Sequence, residues 1–165
     1  MKNFLERSYP MGYNYKTELK VLLTMLAAGV LISFFRFISA YSLEILALYI
    51  NRGAELILDE SRVMPDFVYI LGDKLLILLI LAAFTFVLAS CIHYAYHRYG
   101  SKSIYLMRRL PNRFELHRRC LSIPLIFSFI ILLAAALLLL ICYSIYTIST
   151  PEACLTPNQW QKIWR

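Results

Sequence analysis

The sequence is short of charge, and of acid most of all. Charged side chains make up 16% of its 165 residues, and ten acids face seventeen bases. Soluble domains carry about a quarter charged residues and about half apolar ones, whereas 60% of this chain is hydrophobic. Metal and redox spacing is missing too. The four cysteines, Cys91, Cys120, Cys142 and Cys154, form no closely spaced pair, so buried free thiols are expected rather than a zinc or dithiol centre. No G-x-x-x-x-G-K-[ST] phosphate loop occurs, which removes the usual ATP-binding device from this chain. His93, His97, His117, Glu115 and the acids of 43–73 make no recognisable nucleophile–base set, so the chain is not expected to be an enzyme.

What the sequence does have is long uncharged runs. Residues 75–97 and 120–151 each exceed the roughly 20 residues that span hydrocarbon. A third run, 21–35, is shorter but continues through Arg36 into FISAY. The pattern predicts an all-α membrane protein with three transmembrane helices. The segments read as 1–19 N-terminal, 20–42 first span, 43–68 outer loop, 69–96 second span, 97–120 basic elbow, 121–147 third span and 148–165 tail.

Residues 1–19 are polar and lack the small-residue cleavage pattern of a signal peptide. Lys2, Arg7, Lys16 and Lys20 outnumber Glu6 and Glu18 there, which reads as a cytoplasmic N-terminus. Tyr9, Tyr13 and Tyr15 read as an interfacial belt. Arg36 lies about 24 Å beyond Lys20 on a helix. That depth lets it snorkel to the far interface; the functional alternative is a pathway or interface charge that meets substrate or pairs with an acid. In 43–73 the acids Glu44, Glu55, Asp59, Glu60, Asp66 and Asp73 outnumber Arg52 and Arg62, and apolar residues recur at near-helical spacing. Short amphipathic helices on the outer surface are expected.

His93 and His97 stand one helical turn apart, a spacing that can ligate a metal. No third ligand lies at useful distance, so they read as part of an aromatic belt with Tyr94, Tyr96 and Tyr99. Pro124 is expected in the first turn of the third span, where a missing N–H costs least. Ala134, Ala135 and Ala136 offer a small-residue packing patch. Tyr143 and Tyr146 mark the outer end, and Trp160, Ile163 and Trp164 of the tail read as surface-lying. No acid falls well inside a span, so coupling to protons or sodium has little support.

The remaining stretch, 97–119, carries Arg98, Lys102, Arg108, Arg109, Arg113, Arg118 and Arg119 against the single acid Glu115. A basic segment between two spans stays on the cytoplasmic side. Its position beside the membrane accounts for the formal net charge of +7 without nucleic acid. Leu106, Met107 and Leu110 give it one apolar edge. Pro111 ends one short helix, and Asn112 with Glu115 resembles a capping box that starts another. A purely topological and lipid-binding role, at about 1 kcal/mol per basic residue, is the simpler reading. The apolar edge and the Leu-Pro break favour a docking elbow.

The stretch KSIYLMRRLPNRFEL resembles the coupling segment of ABC transporter permeases of the type 2 exporter class. There a small hydroxyl residue precedes a short apolar helix, a Leu-Pro or similar break, and a basic residue that leads into the third span. Ser103, Ile104, Leu106, Met107, Leu110, Pro111 and Arg113 take those places here, with Arg109 among the arginines that would fix register. The resemblance departs in three ways: such permeases usually have six spans, the acid that often precedes the hydroxyl residue is replaced by Tyr99, Gly100 and Lys102, and Arg113 stands closer to Pro111 than in that pattern. It implies a half-length permease of a bacterial plasma membrane, with its C-terminus outside. It also implies a cytoplasmic ATP-binding partner that holds the ATP and Mg, a second membrane chain, and no cofactor on this chain. An accessory or regulatory structural subunit of a multi-chain membrane complex is the alternative.

Overall fold

The structure is a computed structural model, and it describes residues 9, 14–52, 55–59, 61–99 and 114–162. Three long helices dominate: α1 (Tyr15–Ala47), α3 (Leu76–Tyr99) and α4 (Glu115–Ser149). Between the first two lie a hairpin of β1 (Tyr49–Arg52) and β2 (Glu55–Leu58) and the short α2 (Phe67–Leu71). A 3₁₀ turn (Glu152–Cys154) and α5 (Gln159–Lys162) follow α4. All three long helices are long and apolar enough to cross a bilayer, so the chain is a multi-pass membrane protein of the all-α class. The elbow residues 100–113 lie outside the described residues.

Two of the long helices, α1 and α4, overrun the expected spans at both ends. No proline interrupts 15–47, and α1 runs for 33 residues, about 50 Å against a hydrocarbon core of about 30 Å. Its C-terminal end is closed by Arg62, whose Nη1 donates to the Ala47 carbonyl at 2.7 Å. A cation there also meets the negative end of the helix dipole. Because α4 starts at Glu115, Pro124 sits in the helix interior and not in the first turn.

The expectation of surface helices in the outer loop is corrected. Tyr49 pairs with Leu58 and Arg52 with Glu55, antiparallel. The apolar residues 43–47 belong to α1, and 49–52 pair with 55–58 as strands instead. Two residues separate the strands, the first of them Gly53, a spacing that favours a hairpin. The second span also starts later than expected, at Leu76. Gly72, at φ 41°, ends α2; a side chain there would be strained.

By contacts the chain forms two compact units. One holds the described residues up to Ala28 and those between Leu78 and Leu133. Its core packs Tyr9, Leu22, Ile123 and Phe127, with Tyr15 and Leu19 against them. Tyr9 is therefore buried rather than interfacial.

The other unit holds the described residues between Gly29 and Ile77 and from Ala134 onward. Its hub is Phe67, fully buried, edge-on to Tyr143 at 5.4 Å and tilted against Phe37 and Tyr146. Tyr146 is buried as well, and its hydroxyl donates to the Pro65 carbonyl at 2.9 Å. Thr150 Oγ1 donates to the Tyr146 carbonyl at 2.6 Å, so the Tyr41 hydroxyl is the donor in its 3.2 Å bond to Thr150. The tail folds back here: Met64 N donates to the Cys154 carbonyl at 2.9 Å, and Trp160 lies on Tyr143 at 5.0 Å. Ile163 and Trp164 lie outside the described residues. Cys120, Cys142 and Cys154 are buried and free as expected; Cys91 is free but exposed on α3, which corrects its expected burial.

Candidate functional site

The site begins with a proline. Pro124 has no N–H, so it cannot bond the carbonyl four residues before it in α4, that of Cys120. Cys120 and Pro124 are both fully buried, and an orphaned carbonyl away from water is costly. His93 of α3 takes it up: its Nδ1 lies 3.0 Å from the Cys120 oxygen. The same ring places Nε2 3.0 Å from Glu18 Oε2 of α1. One imidazole thus ties three helices within the first unit.

The pairing dictates protonation. A carbonyl only accepts, so Nδ1 carries hydrogen. A single proton then lies between Nε2 and Oε2. Held on nitrogen it gives an imidazolium–carboxylate pair, and held on oxygen a neutral pair; either way the dyad is neutral overall. That neutrality is what allows His93 to be completely buried, since an unpaired charge there would be expelled or neutralised. Tyr9 covers the dyad, its ring edge-on to His93 at 5.6 Å. From the next residue of α3, the Tyr94 hydroxyl meets His117 Nδ1 at 2.6 Å, a second tie between α3 and α4.

Beside the dyad a cleft of about 460 Å³ opens between α1 and α3. Asn14, Thr17 and Glu18 line its polar end, and Val21, Met25, Phe84, Leu88 and Ile92 are among its apolar walls. Glu18 Oε1 and Thr85 Oγ1 are buried without hydrogen-bond partners among the described residues, and both residues line this cleft.

The sequence-predicted residues fall elsewhere. Ser103, Ile104, Leu106, Met107, Arg109, Leu110, Pro111 and Arg113 lie outside the described residues. Arg36 Nη2 pairs with Asp73 Oδ2 at 3.0 Å, with side chains 44% and 58% exposed; the guanidinium beside Asp73 lowers its carboxyl below the ordinary value. Arg36 is thus half-exposed with an acid partner. His93 is corrected from an interfacial aromatic to a buried tie. Among the described residues no three His, Cys, Asp or Glu side chains converge as for a metal ion. Sequence reasoning missed Glu18 and Cys120, although a histidine and a proline inside apolar runs were the available signal.

Comparison with known proteins returns no matching family model, no matching curated protein and no matching solved structure.

Proposed function

We propose that the chain is a membrane subunit of an ATP-driven, ABC-type transporter of the exporter class. A separate cytoplasmic ATPase docks on the basic segment 97–120, and its closure is passed to the helices. The N-terminus is cytoplasmic and the C-terminus outside, in a bacterial plasma membrane, with a second membrane chain completing the assembly. ATP and Mg reside on the partner.

One observation carries the reading beyond the sequence resemblance. The two helix ends that flank the basic segment are tied to each other by His93–Cys120 and by Tyr94–His117, and Glu18 ties α1 to His93 of α3. A push on the segment would therefore move these helix ends as one body rather than fray one of them, as rigid-body transmission requires. In the docked state Leu106, Met107 and Leu110 fill a groove of the ATPase, while Arg109 and Arg113 set register.

Purification of the tagged chain from native membrane, with identification of every co-purifying protein, tests this. An ATPase is expected in the eluate, and it is lost when Leu106 and Met107 are both replaced by Asp. Retention of the ATPase by that variant, or its absence from the parent sample, overturns the docking. The second reading is an accessory structural subunit. It is favoured by the row Leu125, Phe129, Leu133 and Leu137 on α4, all more than half exposed at four-residue spacing, a face suited to another membrane chain or to lipid. Transport that persists after deletion of this chain selects that reading.

A further inference from the structure

We infer that the cleft between α1 and α3 binds an amphiphilic amine: an ammonium head at Glu18, an aliphatic body along the walls, and a hydrogen-bond acceptor at Thr85. The inference does not depend on ATPase docking. It rests on two buried oxygens without hydrogen-bond partners among the described residues, in a cavity whose remaining walls are mostly apolar.

The first is Glu18 Oε1. Its sister oxygen is occupied by His93 Nε2 at 3.0 Å, and the side chain is only 11% exposed. Whichever atom holds the shared proton, Oε1 remains an acceptor, so the ligand must bring a donor. A protonated amine is the strongest complement, because charge-assisted hydrogen bonds are roughly twice as strong as neutral ones. Hydrocarbon chains of the surrounding bilayer supply no donor at all.

The second is Thr85. Several helix-borne hydroxyls turn back on their own backbone: Thr24 to Val21, Ser42 to Ser39, Ser144 to Leu140 and Thr147 to Tyr143. Ser128 instead reaches Ala82 O on α3. Thr85, only 3% exposed, does neither. Ser33 and Ser90 also lack a partner among the described residues, but of the three only Thr85 lines the cleft. A buried hydroxyl without a partner costs free energy; an acceptor on a ligand would relieve it.

The spacing sets the scale of the ligand. Thr85 lies eight residues before His93, which holds Glu18, a rise of about 12 Å along α3. Methyl ω-aminodecanoate, an amine and an ester joined by a flexible aliphatic chain of that order, is the probe. Leu88 and Phe84 on one side and Val21 and Met25 on the other would flank its methylenes.

The test uses the purified full chain in lipid nanodiscs and tritiated methyl ω-aminodecanoate, with binding to empty nanodiscs subtracted. Saturable one-to-one binding is expected. Methyl decanoate, which lacks the amine, should compete at least about tenfold more weakly. Decylamine, which lacks the ester, should compete about fivefold more weakly, and Thr85→Val should lower affinity for the ester amine by a similar factor. Leu88→Trp fills the cleft and should abolish saturable binding. Both variants leave the Glu18–His93 bond in place. The inference is overturned if methyl decanoate competes as well as the amine, or if Thr85→Val and Leu88→Trp both bind like the parent. The ligand comparison needs no variant, so a misfolded mutant cannot shelter the idea.

Discussion

His93 donates to the carbonyl that Pro124 leaves without a helical partner, Nδ1 to the Cys120 oxygen at 3.0 Å. The bond joins an imidazole and a backbone group 27 residues apart in the chain, and it exists because a proline stands inside α4. The two residues should therefore be energetically coupled. His93→Leu removes the donor and also leaves Glu18 without a partner, at an expected cost of about 2–4 kcal/mol. Pro124→Ala restores the helical N–H, so in that background the histidine change should cost about 1 kcal/mol less. Equilibrium unfolding in detergent of both singles and the double checks this. Strict additivity would show that His93 does not serve the Cys120 carbonyl.

Glu18→Gln should keep the geometry while removing the shared proton. The Gln amide can donate to Nε2, and Nδ1–H remains committed to the Cys120 carbonyl. His93 then becomes a neutral ring protonated at Nδ1 only. Imidazole nitrogen-15 chemical shifts report this directly. A ring protonated at Nε2 in the variant would contradict the assignment made from the carbonyl contact.

Acid should loosen the tail before the rest of its unit. Asp66 Oδ1 accepts from Lys162 Nζ at 2.6 Å and from Thr156 and Gln159 at 3.2 Å, and Gln159 in turn bonds Thr156. The Lys162 ammonium is the chief cause that holds the Asp66 carboxyl below its ordinary 3.8. A depressed folded value stabilises the tail in full above 3.8, and that stabilisation is lost as pH falls through the folded value. Hydrogen exchange at 156–162 should therefore rise below pH 3.8, and Asp66→Asn should raise it at neutral pH and flatten the acid dependence.

Arg36→Ala and Asp73→Asn should leave the unfolding midpoint in detergent almost unchanged, because exposed ion pairs contribute little. If Arg36 instead meets a cargo, the substitution would alter transport while stability stays put.

Thiol chemistry should sort the cysteines by position. Cys91, exposed on the apolar α3, is expected to react with a lipid-soluble maleimide, and Cys120, Cys142 and Cys154 only after unfolding. The proposed orientation adds that Lys102 stays out of reach of an impermeant amine reagent applied to intact cells; labelling from outside would invert the topology.

Composition and run length made the three membrane helices legible, because a bilayer demands about 20 apolar residues whatever they pack against. The helix ends were less so: where α1 stops depends on Arg62, fifteen residues past the carbonyl it holds. The hairpin was misread because apolar spacing over 43–58 fits a helix until 43–47 are assigned to α1. The Glu18–His93–Cys120 tie was not legible as a unit. Its members lie 75 and 27 residues apart, and only packing of three helices brings them together. What the sequence did expose was each half of the problem: a histidine in an apolar run and a proline in another.

A helix that has already given up one of its own rungs can pivot there without breaking another. The turn of α4 ahead of Pro124 leans on a side chain from α3 instead of on its own backbone. Tilting that turn on its own would break the imidazole contact, so it is α3 that keeps this turn of α4 in line.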